Sequence, residues 1–321
     1  MITNHLIAIS IAFVLDRIIG DPPKWPHPVK WMGSLISFLD KRWNHGAHRK
    51  WKGGGLTLTV LAIVIGATGF SVYLAYSLSS LIGVLFEAIL IATTISQKSL
   101  RTAALNVYEP LQKGELSEAR VNLSSIVGRD TKHLEESELV RGAVETVAEN
   151  TSDGITAPLF WALIGGSTAA MAYRAINTCD SMVGYRNEQY ETFGMVSARI
   201  DDLVNWIPSR LTGFCMMLSQ KPDHHSTKHA WRILLRDARQ HPSPNSGWGE
   251  AATAALLGIQ LGGINTYQGV VSNRARMGDP ITKLSAIHIP KSITIMHRAS
   301  LLFLITLWIG GLILGATFTW L

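Results

Sequence analysis

Three polar clusters in the middle of the chain carry the side chains that hold cations and move protons: ENTSDG from Glu149, NTCDS from Asn177 and RIDDLVN from Arg199. Carboxylate and amide oxygens are hard ligands, the kind Mg²⁺ uses when it is shared with a phosphate. Each cluster adjoins an apolar stretch, so any such chemistry would sit at a membrane border. A plainer reading stands beside the chemical one. Arg141, Glu145, Glu149 and Asp153 recur every four residues and suit a helical salt-bridge ladder, while Asp201 or Asp202 suits a helix N-cap.

Other motifs are more ambiguous. Asp201, Asp202 and Asn205 resemble the aspartate-rich metal motif of membrane prenyltransferases, but the last position is Asn and no second repeat follows. HPSPNSGWGE, from His241 to Glu250, combines fixed turns with a helix start. Its backbone N–H groups could cradle an oxyanion or simply cap a helix. His27, between Pro26 and Pro28, is held in a restricted backbone useful for catalysis or for loop rigidity. His224, His225 and His229 form a loose group with no converging ligands in sequence, which fits a solvated loop. Neither GxxxxGK[ST] nor GxGxxG occurs, which excludes a P-loop or Rossmann nucleotide site.

The elements that must position these residues are apolar. Of 321 residues 47% are hydrophobic and 16% charged, against about 25% charged in a typical soluble domain. Gly53 to Phe86 carries no charge over 34 positions. As one helix at ~1.5 Å per residue it would overshoot a ~30 Å hydrocarbon core, so two spans broken near Ser77 to Ser80 are expected, the second taking in Leu81 to Ile95. Ala299 to Leu321 gives a further span, ending in Trp308 and Trp320. Ile155 to Tyr173 is uncharged but interrupted at Gly165-Gly166, which suits a broken span or a re-entrant hairpin. Leu203 to Gln220 is apolar around Arg210, whose charge should face protein or water. Met1 to Leu15 reads as an uncleaved anchor or packed helix.

Leu116, Ala119, Leu123 and Ile126 recur at helical spacing, and Leu139, Val140, Ala143, Val144 and Val147 mark a second polar helix; a third covers Gly249 to Leu261. Strand signals are thin. The expected fold is mainly α, a polytopic membrane helical protein with roughly four to six membrane-inserted segments and polar helical loops. It reads as one domain over residues 1–321, with subregions 1–100 (N-terminal anchors and hairpin), 101–220 (polar helices and core motifs), 221–298 (basic polar loops) and 299–321 (C-terminal span).

The net charge is +6, and Lys221 to Arg298 holds ten Lys/Arg against four Asp/Glu. That segment should face the cytoplasm. No long basic run favours nucleic acid as a partner. Cys179 and Cys215 show no CxxC spacing, which excludes a disulfide framework or a thiolate zinc site.

Five long stretches resemble the CbiB/CobD family of cobalamin biosynthesis, the adenosylcobinamide-phosphate synthases. They are DRIIGDPPKWPHPVKWMG from Asp16, IVGRDT from Ile126, ETVAENTSDGITAPLFWALIGG from Glu145, AYRAINTCDSMVGYRNEQYETFGMVSARIDDLVNWIPSRL from Ala172 and HPSPNSGWGEAATAALLGIQLGG from His241. The resemblance implies an amide ligation: adenosylcobyric acid is joined to (R)-1-amino-2-propanol or its O-phosphate. It further implies ATP and Mg²⁺, cobalt only as part of the substrate, a multi-pass place in the plasma (inner) membrane and contacts with other cobalamin-synthesis membrane enzymes. On that basis Asp153, Asp180, Asp201 and Asp202 are metal-site candidates, and Glu149, Asp153 and Asp202 catalytic candidates, with Glu149 as base. Arg129, Arg174, Arg199 and Arg210 are the phosphate or carboxylate partners. His27, Asn150, Asn177, Ser243, Asn245 and Glu250 would bind or orient substrates. Two other readings remain: a non-enzymatic AmpE-like membrane sensor or corrinoid scaffold, and a metal-dependent membrane prenyl- or phosphotransferase.

Overall fold

The computed structural model describes residues 2–22, 25–185, 187–224, 226–267 and 269–318; His225 and Trp320 lie outside them. The chain is a mainly α, polytopic membrane protein. In order come α1 (Ile2–Ile18), α2 (Pro28–Trp43), α3 (Arg49–Leu78), α4 (Ser80–Ala92), α5 (Gln97–Lys113), α6 (Leu116–Ser124) and α7 (Glu136–Thr151). A π-helical turn, Ser152–Thr156, leads into α8 (Ala157–Val183). Then follow α9 (Met195–Val204), α10 (Trp206–Ser219), α11 (Thr227–Asp237), α12 (Ser246–Leu257), β1 (Leu261–Tyr267), β2 (Val270–Met277) and α13 (His288–Phe318). Four helical stretches of the described residues, Arg49–Leu78, Ser80–Lys113, Glu136–Val183 and His288–Ile313, are long and apolar enough to cross a membrane.

The chain divides into two compact units interleaved in sequence. The first comprises Met1–Ser96, Ala157–Asn205 and Leu304–Leu321. Its core is a set of helical stripes: Met32, Ile36 and Leu39 of α2, Leu56, Val60 and Val64 of α3, and Met171, Ala175, Cys179 and Val183 of α8. Spacings of three and four put each stripe on one face. The opposite faces remain apolar, with Leu58, Phe70 and Leu74 of α3 and Leu81 and Ile89 of α4 exposed. Water would not tolerate so continuous an apolar surface, and lipid does. The expected hairpin break falls at Ser79, whose extended backbone ends α3 and whose Oγ accepts Ile82 N–H at 3.1 Å to start α4.

The Gly165-Gly166 interruption does not reverse the chain, since α8 runs on to Val183. It leaves the helical path at Gly166 (φ 60°), a conformation only glycine takes without strain. The freed Ser167 N–H is taken by Glu87 of α4, whose Oε1 also accepts Ser167 Oγ at 3.2 Å. The other oxygen accepts Tyr76 O–H at 2.8 Å and lies 3.2 Å from His5 Nδ1. A charge inside an apolar span thus has a partner from α1, α3 and α8.

The second unit comprises Gln97–Thr156 and Trp206–Phe303. Every residue of α12 is buried, and Gly249 lets α12 approach α7 closely, because a Cβ there would overlap the Ala148 carbonyl. Of the first predicted stripe Ala119 and Leu123 of α6 are buried while Leu116 and Ile126 are half-buried, and Leu139, Val140, Ala143, Val144 and Val147 of α7 are all buried. One expectation is corrected. Residues 261–277 form an antiparallel hairpin, with Gly263 opposite Arg274 and Tyr267 opposite Val270. It is half polar and short, so its period-two pattern lay hidden, and it is fixed by side chains of α7 described below.

Candidate functional site

In the first unit the acids of α8 and α9 meet. Asp201 is 8% exposed, and its oxygens accept the amides of Asn177 at 3.4 Å and Asn205 at 3.1 Å. Tyr173 O–H donates in turn to Asn205 Oδ1 at 2.8 Å. Burial, then the nearby Asp180 carboxylate, push Asp201 up to about 7. Asp180 and Asp202 are half-buried, and Arg199 is exposed. Arg174, on the same helix as Asn177 and Asp180, keeps a buried Nε without a hydrogen-bond partner. Behind the polar chain lies an apolar cavity of 320 Å³ walled by Trp161, Gly165, Thr168, Ala172, Tyr173 and Val204. Tyr173 therefore has its ring in that wall and its hydroxyl in the acid network.

The N-cap reading of Asp201 and Asp202 is corrected, for both sit in the last turn of α9. No group of three or more His, Cys, Asp or Glu side chains among the described residues is placed to hold a metal by itself. A mutually repelling Asp180–Asp201 pair with flanking amides still suits Mg²⁺, which takes one or two carboxylates and completes its shell from phosphate and water. The fourth metal candidate, Asp153, belongs to the second unit, half-buried in the π-helical turn. Such turns interrupt a helix at a cost and recur at functional sites. Asn150 donates to the Thr146 carbonyl at 2.9 Å.

The second unit buries a denser cluster. Arg129 pairs with Glu145 and donates to Asn265 at 2.8 Å; burial opposes its charge, but Glu145 outweighs burial and holds it more firmly protonated. Glu145 also accepts Gly262 N–H at 2.8 Å. Arg141 donates to the carbonyls of Gly262 and Ile264 and to Asn265. The α7 residues therefore pin the hairpin, and the intrahelical salt-bridge ladder is not formed. Arg129, a phosphate-partner candidate, is buried in this pair and is 8% exposed.

One turn further along α7, Glu149 accepts Ser246 O–H at 2.8 Å. Glu250 is 2% exposed, and burial followed by Glu145 and Glu149 pushes its carboxyl well above the usual range. His241 faces it, Nε2 to Oε1 at 3.5 Å. The HPSPN loop itself caps α12: Ser243 Oγ accepts the N–H groups of Asn245 at 3.2 Å and Ser246 at 3.3 Å. Asn245 accepts Ser209 O–H at 3.2 Å and Arg210 at 3.4 Å. The Arg210 guanidinium lies between two rings, 4.3 Å from the Trp206 centroid and 5.2 Å from that of Trp248. Its charge faces protein, as expected.

Two histidine groups take structural places. His27 caps α2, accepting Val29 N–H at 3.3 Å and lying 3.0 Å from Asp21. His229 pairs with Asp279 at 2.9 Å. The sequence marked His241 only as the start of the HPSPN segment and Glu87 only as a lone carboxylate in an apolar run, while Arg274 and Tyr173 carried no signal of their own.

Comparison with known proteins agrees with the motifs. The sequence model of a family described as CobD/Cbib protein matches residues 9–296. The Cobalamin biosynthesis protein CobD of Halalkalibacterium halodurans is 53% identical, over 99% of this chain and 100% of its own. CobD of Geobacter metallireducens is 47% identical, over 92% and 93%. The Cobalamin biosynthesis protein CbiB of Salmonella typhimurium is 44% identical, over 93% and 95%. No solved structure matches the chain.

Proposed function

The chain belongs to the CobD/CbiB family, and we propose that it is an ATP-dependent, amide-forming ligase that joins adenosylcobyric acid to (R)-1-amino-2-propanol or its O-phosphate. The observation that carries this reading is a relationship spanning 99% of the chain to a protein named for cobalamin biosynthesis. The multi-pass helices support a place in the inner membrane, where other membrane enzymes of the same pathway could hand over the corrinoid.

A carboxylate and an ammonium do not condense at neutral pH. The acid must gain a leaving group, and the amine must lose a proton. ATP supplies the leaving group, and bound Mg²⁺ neutralises phosphate charge. Asp180, Asp201 and Asp202 of the first unit are the carboxylates to test for holding the ion, with Asn177 and Asn205 orienting Asp201, and Asp153 of the second unit is a separate candidate. Arg210 is preorganised by its two tryptophans to meet an anion, and Arg174 and Arg199 are the other cations to test. Glu149 offers a carboxylate to the incoming ammonium.

The test is to incubate membranes holding the protein with adenosylcobyrate, aminopropanol or its phosphate, ATP and Mg²⁺, and to identify corrinoid products by mass. Amide product that depends on nucleotide is expected, and its formation without any nucleotide would sink the acyl-phosphate scheme. Asp202→Asn should stay folded in the membrane yet make no product. Normal turnover by that variant removes Asp202 from the chemistry.

A further inference from the structure

We propose that the groove at the C-terminal end of α2, lined by Phe38, Lys41, Arg42 and His45, binds the headgroup of an anionic phospholipid. The site lies wholly within the first unit and needs no part of the ligation chemistry.

The groove has a volume of 550 Å³ and is built on the outer face of α2. Met32, Ile36 and Leu39 turn into the core, which leaves Trp31, Phe38, Lys41 and Arg42 on the exposed side. Along that face the character changes. Trp31 and Phe38, two helical turns or ~10 Å apart, are apolar; the two cations follow directly, and His45 closes the end. An apolar wall running into a cationic floor matches the order in which a phospholipid presents its acyl chain and its phosphate.

Helix α3 fixes the membrane border at the same place. It is one of the helices long and apolar enough to cross a bilayer, and its uncharged run begins at Gly53, directly after Arg49, Lys50 and Lys52. The first turn of α3, and the end of α2 that a short connection joins to it, therefore stand at headgroup level. Trp51, 80% exposed between the two lysines, is the amphipathic ring expected there.

The basic residues divide by task. Arg49 donates to Asn44 Oδ1 at 2.9 Å and to the carbonyls of Glu188 and Gln189, and Lys52 donates to the His45 carbonyl at 2.7 Å; these two hold the connection in shape. Lys41 and Arg42 are exposed, and among the described residues neither pairs with a carboxylate. The adjacent acid, Asp40, is taken up by Asn44 at 2.9 Å and by Tyr190 O–H at 3.0 Å. Two cations without a counter-ion at headgroup level favour a lipid with net negative charge over one whose phosphate is already balanced by an ammonium.

The test uses full-length protein purified in an uncharged detergent and stripped of lipid. It is titrated with dioctanoyl phosphatidylglycerol or dioctanoyl phosphatidylcholine, and the adducts are counted by native mass spectrometry. One phosphatidylglycerol should bind on the order of 10-fold more tightly than phosphatidylcholine. That preference should shrink as salt is added. Lys41→Gln combined with Arg42→Gln should abolish it, whereas Lys113→Gln combined with Lys132→Gln, in the second unit, should leave it intact. Inorganic phosphate at the same concentration should not displace the lipid, because it has no chain to lie against Phe38. Equal affinity for the two lipids, a preference that survives loss of both cations, or displacement by phosphate alone would overturn the assignment. Should the double variant fail to fold, a phosphatidylglycerol carrying a photoreactive diazirine on its headgroup is cross-linked to the unsubstituted protein. Label within residues 38–45 upholds the site; label confined to other segments refutes it.

Discussion

A carboxyl group that keeps its proton only in the folded protein makes stability depend on pH. Asp201 has an ordinary value of 3.8 and is pushed up to about 7. Between the two the folded chain holds a proton the unfolded chain has lost, so stability is greatest at the acid end and falls as pH rises through that window. Asp201→Asn, which can keep its hydrogen bonds with Asn177 and Asn205, should flatten this contribution. Melting curves in detergent from about pH 5 to about pH 8 check it, and identical slopes for both proteins would clear Asp201. The buried Arg129–Glu145 pair behaves differently, for truncating one member strands the other's charge. Glu145→Ala should cost about 3–5 kcal/mol in denaturant unfolding. The identities of these acids were legible in the sequence; their partners were not. Glu145 is met by Arg129 from 16 positions away and by the Gly262 N–H from 117, distances over which helical spacing carries no information.

At the scale of elements, periodicity revealed what local chemistry decides. The α7 stripe, the break at Ser79 and the interruption at Gly165-Gly166 were all readable, because stripes, caps and glycines act within a few residues. The hairpin was not readable, since its register is fixed by Arg141 and Glu145 of a distant helix. Nor was the continuation of α8 beyond its break, which depends on Glu87 from another helix supplying the missing acceptor. Gly166→Ala should therefore be severe: it places a Cβ onto Glu87 Oε1 and demands a left-handed backbone from alanine. A loss of at least about 1–3 kcal/mol is expected, read as a lower melting temperature of the detergent-extracted protein. Glu87→Gln, which can still accept from Ser167, should lose less than Glu87→Ala.

For the whole molecule, composition was the strongest guide, because a deficit of charge over 321 residues leaves apolar helix faces that only lipid can cover. The protein should stay in the membrane pellet through alkaline and high-salt washes and leave it only with detergent. Cys179 and Cys215 are both buried, so a maleimide should label them only after denaturation. The division into two units left no such trace, since neither is contiguous. Residues 1–96 wait for 157–205 and again for 304–321, while 97–156 wait for 206–303. During translation, then, the second unit waits for residues up to 303 and the first for residues from 304 on. Helices α3 and α4, both apolar enough to span a membrane, emerge with their α8 partner still unmade, so the nascent chain needs insertion machinery or a chaperone to shield them.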